Sequence, residues 1–438
     1  MEATQALDEP DPSLSGFAPY VTELEQLAYQ ALRTTRPADT ALMPHLDGQA
    51  GRVLRRTVEL DLLRQQGAFF TGEQLSTRAA ALVHPAARYF DGTCGCGDLL
   101  LAVAQHLPVH RTVAATLRAW NRRLSGIDCH EPFVRAARAR LALHAASRGA
   151  QPSRCRAGLE DLLPAVRVGD LFAVQQRLRR GSALLLNPPY GLTQCPADVD
   201  WSSGRVSAAA VFAMHAQRLL PADGKLVAIL PDVLRSGSRY ARWRTEIERR
   251  TTINHVDVFG QFDALTDVDV FLLVLTGPDV ASGETVGWQP TPQATCTISR
   301  HFAVSVGAVV DFRSPQRGPV RPYLVGKGLP VGGTTTAQKR REFDGKLETP
   351  PFVVVARTGR PGDRPRARAS VVLGNEPVAV ENHLVVLRPL DGTQSACERL
   401  LGLLESEATS EWLDRRIRCR HLTVGALKNV PWTVRGDD

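Results

Sequence analysis

The chain has 438 residues, 43% of them hydrophobic and 22% charged, with a formal net charge of +8. That length allows two or three domains with real cores, and the basic balance suits a polyanionic partner. No run is apolar enough to span a bilayer, Met1-Glu2-Ala3-Thr4 does not read as a secretory leader, and the eight dispersed cysteines form no Cys-x-x-Cys pair. A cytoplasmic protein with no metal site, no disulfide framework and no membrane partner is expected. Arginine far outnumbers lysine and alanine is abundant. A GC-rich coding sequence gives the same bias, so the clustering of charge says more than its sum.

Residues 1 to about 16 are acidic and Pro-rich and read as a flexible tail. From Phe17 to about Arg64, apolar residues recur at helical spacing (Leu24, Leu27, Ala28, Ala31, Leu32, then Val53, Leu54, Val58). This predicts a short helical cap within residues 1–66. From Gly67 to residue 276 the pattern alternates helix and strand, the signature of an α/β sheet. Seven strands are predicted: 88–91, 124–128, 167–170, 183–187, 225–230, 253–258 and 268–275. Helices fall between them, including 132–147, 207–220 and an amphipathic insert over 111–123. Residues 277–295 are rich in Gly, Pro and Thr and read as a linker. Beyond it, residues 296–438 predict a β-rich region (strands near 304–311, 352–356, 370–373 and 384–387) and a helical end (398–405 and 410–418).

The most informative string is Asn187-Pro188-Pro189-Tyr190, which follows the apolar run Ala183-Leu184-Leu185-Leu186. Composition predicts it by chance only roughly 4 times in 10,000 such chains. A polar residue, two prolines and an aromatic at a strand's carboxyl end make a rigid corner where parallel sheets bind ligands. The Asn187 amide oxygen and the Pro188 carbonyl could together hold an exocyclic amino group, and Tyr190 could stack on the ring that carries it. A plain strand-ending turn uses the same residue types. Upstream, Tyr89-Phe90-Asp91-Gly92-Thr93-Cys94-Gly95-Cys96-Gly97-Asp98 runs from a strand through small residues into an apolar helix. Glycines there let backbone approach a ligand, and the helix start adds donors. Asp91 would hold the loop or meet a cationic ligand group. Cys94 and Cys96 read as small loop residues. Asp128, ending the next strand, fits a carboxylate that accepts from two ribose hydroxyls, or a helix N-cap.

Together these strings resemble the S-adenosylmethionine-dependent amino-methyltransferases, especially the gamma-ordered N6-adenine DNA methyltransferases of restriction-modification systems. Gly67-Ala68-Phe69-Phe70-Thr71-Gly72 is similar to the family's Phe-Thr-Pro segment, with Gly72 in place of proline. The resemblance covers about Gly67 to Leu275. It implies a seven-stranded Rossmann-like methyltransferase sheet at 67–276 and a target recognition domain at 296–438. It implies S-adenosyl-L-methionine as cofactor, held by Phe70, Thr71, Asp91, Cys94, Gly95, Gly97, Asp128, Asp170 and Leu171. Catalysis would fall to Asn187, Pro188, Pro189 and Tyr190, on an adenine flipped from duplex DNA.

In the carboxyl-terminal region, Arg357-Thr358-Gly359-Arg360-Pro361-Gly362-Asp363-Arg364-Pro365-Arg366-Ala367-Arg368 reads as a loop whose arginines (Arg357, Arg360, Arg364, Arg366, Arg368) contact DNA, or as a solvated hairpin. The basic run Arg415–His421 is a second such candidate. Enzymes that methylate RNA amines or a protein glutamine amide use the same Asn-Pro-Pro-Tyr corner, and a non-catalytic DNA-binding subunit of a defence complex is another class. A cognate restriction or defence protein is a partner the resemblance admits, and monomer and homodimer both stay open.

Overall fold

The computed structural model describes residues 12–59, 71–262, 268–279, 286–289 and 296–433. The chain divides into two compact units, Met1–Leu234 with Arg242–Val286, and Arg235–Ala241 with Gly287–Asp438.

The first unit contains β1 (Arg88–Asp91), β2 (Leu124–Asp128), β3 (Val166–Val168), β4 (Ser182–Leu186), β5 (Leu192–Gln194), β6 (Arg205–Ser207), β7 (Lys225–Pro231), β8 (Thr252–Gln261) and β9 (Asp269–Thr276). Seven of them form one sheet in the order β3-β2-β1-β4-β7-β9-β8, while β5 and β6 pair separately as a hairpin. The pairings from β3 through β7 are parallel, and β9 runs antiparallel to both its neighbours. This is the doubly wound α/β architecture that the alternating pattern predicts. Every residue of β4 is buried, and β7 and β9 are buried after their first residues. Strands covered on both faces carry no polar alternation, which is why they appear as unbroken apolar runs.

The helix Glu131–Ser147 is buried nearly all round, with Phe133, Val134, Leu141 and seven other apolar residues inside. A helix apolar on every side needs cover on every side. The amino-terminal helix Ala18–Arg33 supplies part of it, placing Leu24, Ala28, Ala31 and Leu32 at zero exposure. Burying two such leucines contributes about 3–6 kcal/mol. Arg135 donates to both oxygens of Glu25 across the same contact, at 3.0 and 2.5 Å. The cap therefore belongs to the main core. The predicted tail also gives way from residue 12: Pro12–Phe17 is a 3-10 helix, and Leu14 and Phe17 are buried. Their apolar side chains settle the matter where local composition points to disorder. Residues 1–11 lie outside the described residues.

In the second unit, β10 (Phe302–Val306), β11 (Val320–Leu324), β12 (Gly333–Thr335), β13 (Lys339–Glu342), β14 (Phe352–Ala356), β15 (Ala369–Val372), β16 (Ala379–Val380) and β17 (Leu384–Pro389) make a five-stranded and a three-stranded sheet. Val353, Val355, Val385 and Leu387 pack with Leu400, Leu404 and Leu413 of the terminal helices. The alternate residues Phe352, Val354, Leu384 and Val386 pack with Leu324 and Val380. Both faces of the larger sheet are thus buried. Among the described residues no helix is long and apolar enough to cross a membrane.

Candidate active site

Sheet order reverses between β1 and β4, because the chain leaves β1 towards β2 and leaves β4 towards β7. The carboxyl ends at such a point splay apart and leave a crevice. Two loops meet there. Gly92 N–H donates to Leu185 O at 3.1 Å, and Asn187 N–H donates to Thr93 Oγ1 at 3.3 Å. One cavity is lined by Thr71, Asp91, Cys94, Gly95, Asp128, Asp170, Leu171, Asn187 and Pro189, all singled out from sequence. Gly97, Pro188 and Tyr190 are not among its lining residues, and Phe70 lies outside the described residues.

The loop after β1 turns through two left-handed glycines, Gly95 (φ 47°) and Gly97 (φ 85°). A β-carbon on Gly97 would sit 3.1 Å from that of Ala137, so the helix Glu131–Ser147 also requires a glycine here. Gly95 N–H donates to Asp128 Oδ2 at 2.9 Å and Cys94 N–H to Ile127 O at 2.9 Å, tying the loop to β2. Burial pushes both Cys94 and Cys96 well above the ordinary thiol range, so they stay neutral packing groups.

Four carboxylates line the crevice, Asp91, Asp98, Asp128 and Asp170, and among the described residues two of them face cations. Asp98 faces the fully buried Arg140 at 2.7 Å. That guanidinium also donates to Cys96 O at 2.6 Å and to His45 O at 2.8 Å, binding the loop to the amino-terminal helices. Asp128 faces His130 at 3.0 Å. Burial opposes charge on His130, yet its hydrogen bonds to Asp128 and Cys129 outweigh that and lift it to about 10. A third, Asp91, is 1% exposed. Its Oδ1 accepts the Thr93 N–H at 3.2 Å, while Oδ2 is buried with no hydrogen-bond partner among the described residues. Burial, with Asp128 and Asp98 nearby, drives its carboxyl up to about 8 despite the Thr93 bond.

On the other wall, Asn187 Nδ2 donates to Thr71 Oγ1 at 2.7 Å, and Asn187 Oδ1 accepts the Tyr190 hydroxyl at 2.8 Å. The amide is thus held at both ends. Burial keeps the Tyr190 phenol well above its usual range, so it remains a donor. Its ring meets Phe262 edge-on, at 5.5 Å and 85°. Sequence reading saw Tyr190 only as a stacking surface and missed this orienting hydroxyl. It also missed Thr93, His130, Phe133 and Phe212, which line the cavity. His130 and Phe133 could have been sought in the string after Asp128. Phe212 sits on a helix remote in sequence, and only folding brings it to Phe172, at 4.7 Å. Asp170 faces the cavity and caps the 3-10 turn Leu171–Ala173 by accepting the Phe172 N–H at 3.0 Å.

In the second unit the arginine-rich loop does not present all its arginines. Arg366 is 1% exposed and faces Asp414 Oδ1 at 3.0 Å. It also donates to Cys419 O at 2.8 Å, so its position is that of a structural anchor and corrects its expected place on a DNA surface. Arg364 donates to Asp414 Oδ2 at 3.0 Å and Arg357 to Asn382 O at 3.0 Å. Arg360 and Arg368 are exposed.

No family model and no curated protein sequence matches this chain. Among solved structures, it is similar to the type IIL restriction-modification enzyme MmeI in complex with DNA (12% identity, 88% of this chain, 71% of that chain, TM-score 0.47). It is also similar to the M protein of the type I restriction enzyme EcoKI (15% identity, 61% and 64%, TM-score 0.38). A third is a modification subunit assigned to a type I restriction enzyme of Vibrio vulnificus YJ016 (15% identity, 55% and 50%, TM-score 0.39). This chain spans half the length of that subunit. Likenesses this loose carry no functional weight, and the case for function rests on the crevice.

Proposed function

We propose that this protein is an S-adenosylmethionine-dependent methyltransferase acting on an exocyclic amine, N6 of adenine in duplex DNA. The observation that carries the reading is Asp91. A buried carboxylate with an oxygen unpartnered among the described residues, in a crevice where Asp98 and Asp128 already face cations, fits a cationic ligand. S-adenosylmethionine fits this donor set, having an ammonium, a sulfonium, a ribose and an adenine ring; when bound, it supplies an electrophilic methyl group. Asp91 would accept from the ammonium, with Thr71 beside it. Asp128 would meet the ribose. Asp170, Leu171 and Phe212 would enclose the adenine, the first accepting from its amino group.

Asn187 works on the acceptor. Its Oδ1 is an amide oxygen, an acceptor with two lone pairs, and accepts from Tyr190. This oxygen and the Pro188 carbonyl would accept the two amine hydrogens, turning the nitrogen lone pair out of conjugation with the ring. Thr71 and Tyr190 hold the amide in place beforehand, so no reorganisation is needed during reaction. The ring of Tyr190 would also stack on the extruded base and offset part of its unstacking cost. In the second unit, Arg360 and Arg368 would contact DNA, with Arg357 and Arg364 beside them. Labelled methyl transfer to duplex DNA, RNA and protein, each supplied separately, tests the reading. Transfer to RNA or a glutamine amide alone moves it to a different acceptor. Cofactor binding without transfer to any acceptor refutes it.

A further inference from the structure

The residues after β2 hold a lone-pair count that bears on the ribose. A carboxylate offers about four acceptor sites. On Asp128, Oδ1 meets both the backbone N–H and Nδ1 of His130, each at 3.0 Å, and Oδ2 accepts the Gly95 N–H at 2.9 Å. Among the described residues three sites are taken and one remains, on Oδ2. A vicinal diol has two donors to place, so Asp128 cannot take both as the sequence predicts. His130 lines the same cavity, with 21% of its side chain exposed. Its Nδ1 meets Asp128, while among the described residues Nε2 has only Cys129 Sγ as a hydrogen-bond partner, at 4.0 Å. Protonation, at about 10, leaves both ring nitrogens as donors in neutral solution. A hydroxyl both donates and accepts.

We infer that His130 is a second diol-reading residue of the cofactor site: Nε2–H donates to the oxygen of one ribose hydroxyl, while the remaining Asp128 lone pair accepts from the other hydroxyl. The inference rests on the cofactor reading above. It places a cation beside the ribose and divides recognition of the two hydroxyls between two side chains.

Calorimetric titration of the full chain with S-adenosylhomocysteine and its 2′-deoxy and 3′-deoxy forms tests this. Loss of the hydroxyl that His130 meets should weaken wild-type binding about tenfold. His130→Ala should weaken the ribose form about tenfold and leave that deoxy form unchanged, since the contact is already gone. His130→Gln, which keeps an N–H donor, should restore part of the difference. Equal weakening of all three ligands by His130→Ala overturns the inference and leaves His130 as a prop for Asp128. If His130→Ala does not fold, the wild-type series still decides, because equal affinity for the three forms also overturns it. A wild type that binds no S-adenosylhomocysteine instead refutes the cofactor reading, before any variant is made.

Discussion

Replacing Asp91 by Asn separates what this residue costs the fold from what it does for a ligand. Its carboxyl rises from an ordinary 3.8 to about 8 in the folded protein. A carboxyl raised on folding is no burden below about pH 4, where it is protonated in both states. As pH rises towards 8, the unfolded chain gains stability by ionising and the folded chain cannot follow. Above 8 the penalty is complete. Each tenfold shift is worth about 1.4 kcal/mol, so the penalty should grow on the order of 4 kcal/mol between pH 5 and pH 9. Asn keeps the oxygen that accepts from Thr93 and swaps a buried, unpartnered O–H for a buried N–H, so stability at pH 5 should rise by no more than the roughly 1–2 kcal/mol of penalty already present there. At pH 9 the variant should be more stable by about 2–4 kcal/mol and melt several degrees higher. Affinity for S-adenosylhomocysteine should fall, because a charged hydrogen bond worth about 1.5–3 kcal/mol is lost. Thermal melts of both proteins at pH 5 and 9, with calorimetry at pH 7, check this. Parallel melting curves at both pH values would show that Asp91 carries no buried charge. Unchanged affinity would show that no cation meets it.

Four further outcomes follow from named contacts. Binding of the cofactor below about pH 8 should release close to one proton as Asp91 ionises, visible by calorimetry in buffers of different ionisation enthalpy. Asn187→Ala should abolish methyl transfer while cofactor affinity stays within about threefold, since the amide acts on the acceptor; near-normal turnover removes the central claim. Tyr190→Phe should lower kcat about fivefold with little change in KM, because the hydroxyl that orients Asn187 is lost at a cost of about 1 kcal/mol. Arg366→Ala should destabilise the second unit by less than the about 3–5 kcal/mol of a fully bared buried charge, because Arg364 still pairs with Asp414, whereas Arg360→Ala and Arg368→Ala should leave stability alone and each reduce the salt slope of DNA binding by about 1. The reverse pattern in melts and salt titrations would move the DNA surface elsewhere.

Much of the first unit is legible without coordinates. Seven strands and the intervening helices follow from apolar runs bounded by polar and glycine residues, with ends within a few residues, because strands buried on both faces need continuous apolar sequence. The crevice is legible for the same local reason: Asp91, Gly95, Asp128, Asp170 and Asn187 all sit at or just beyond strand ends, where side chains are positioned by the strand itself. The strands Val320–Leu324, Gly333–Thr335, Lys339–Glu342 and Ala379–Val380 were not, being short, and Lys339–Glu342 being wholly charged, so pairing rather than patterning makes them.

What folding alone decides is which charges have partners. Arginines 360, 364, 366 and 368 look alike in the chain, yet one is interior and bound to Asp414, a residue 48 positions away, because the helix Glu407–Arg416 brings that carboxylate beneath the loop. Asp91, Asp98 and Asp128 also look alike. His130 is a local partner two residues from Asp128, but only the tertiary arrangement gives Arg140 to Asp98 and, among the described residues, no cation to Asp91. Electrostatic energy depends on distance and burial, neither of which is a property of sequence spacing, so the residue types of the site can be read from the chain but its charge balance cannot.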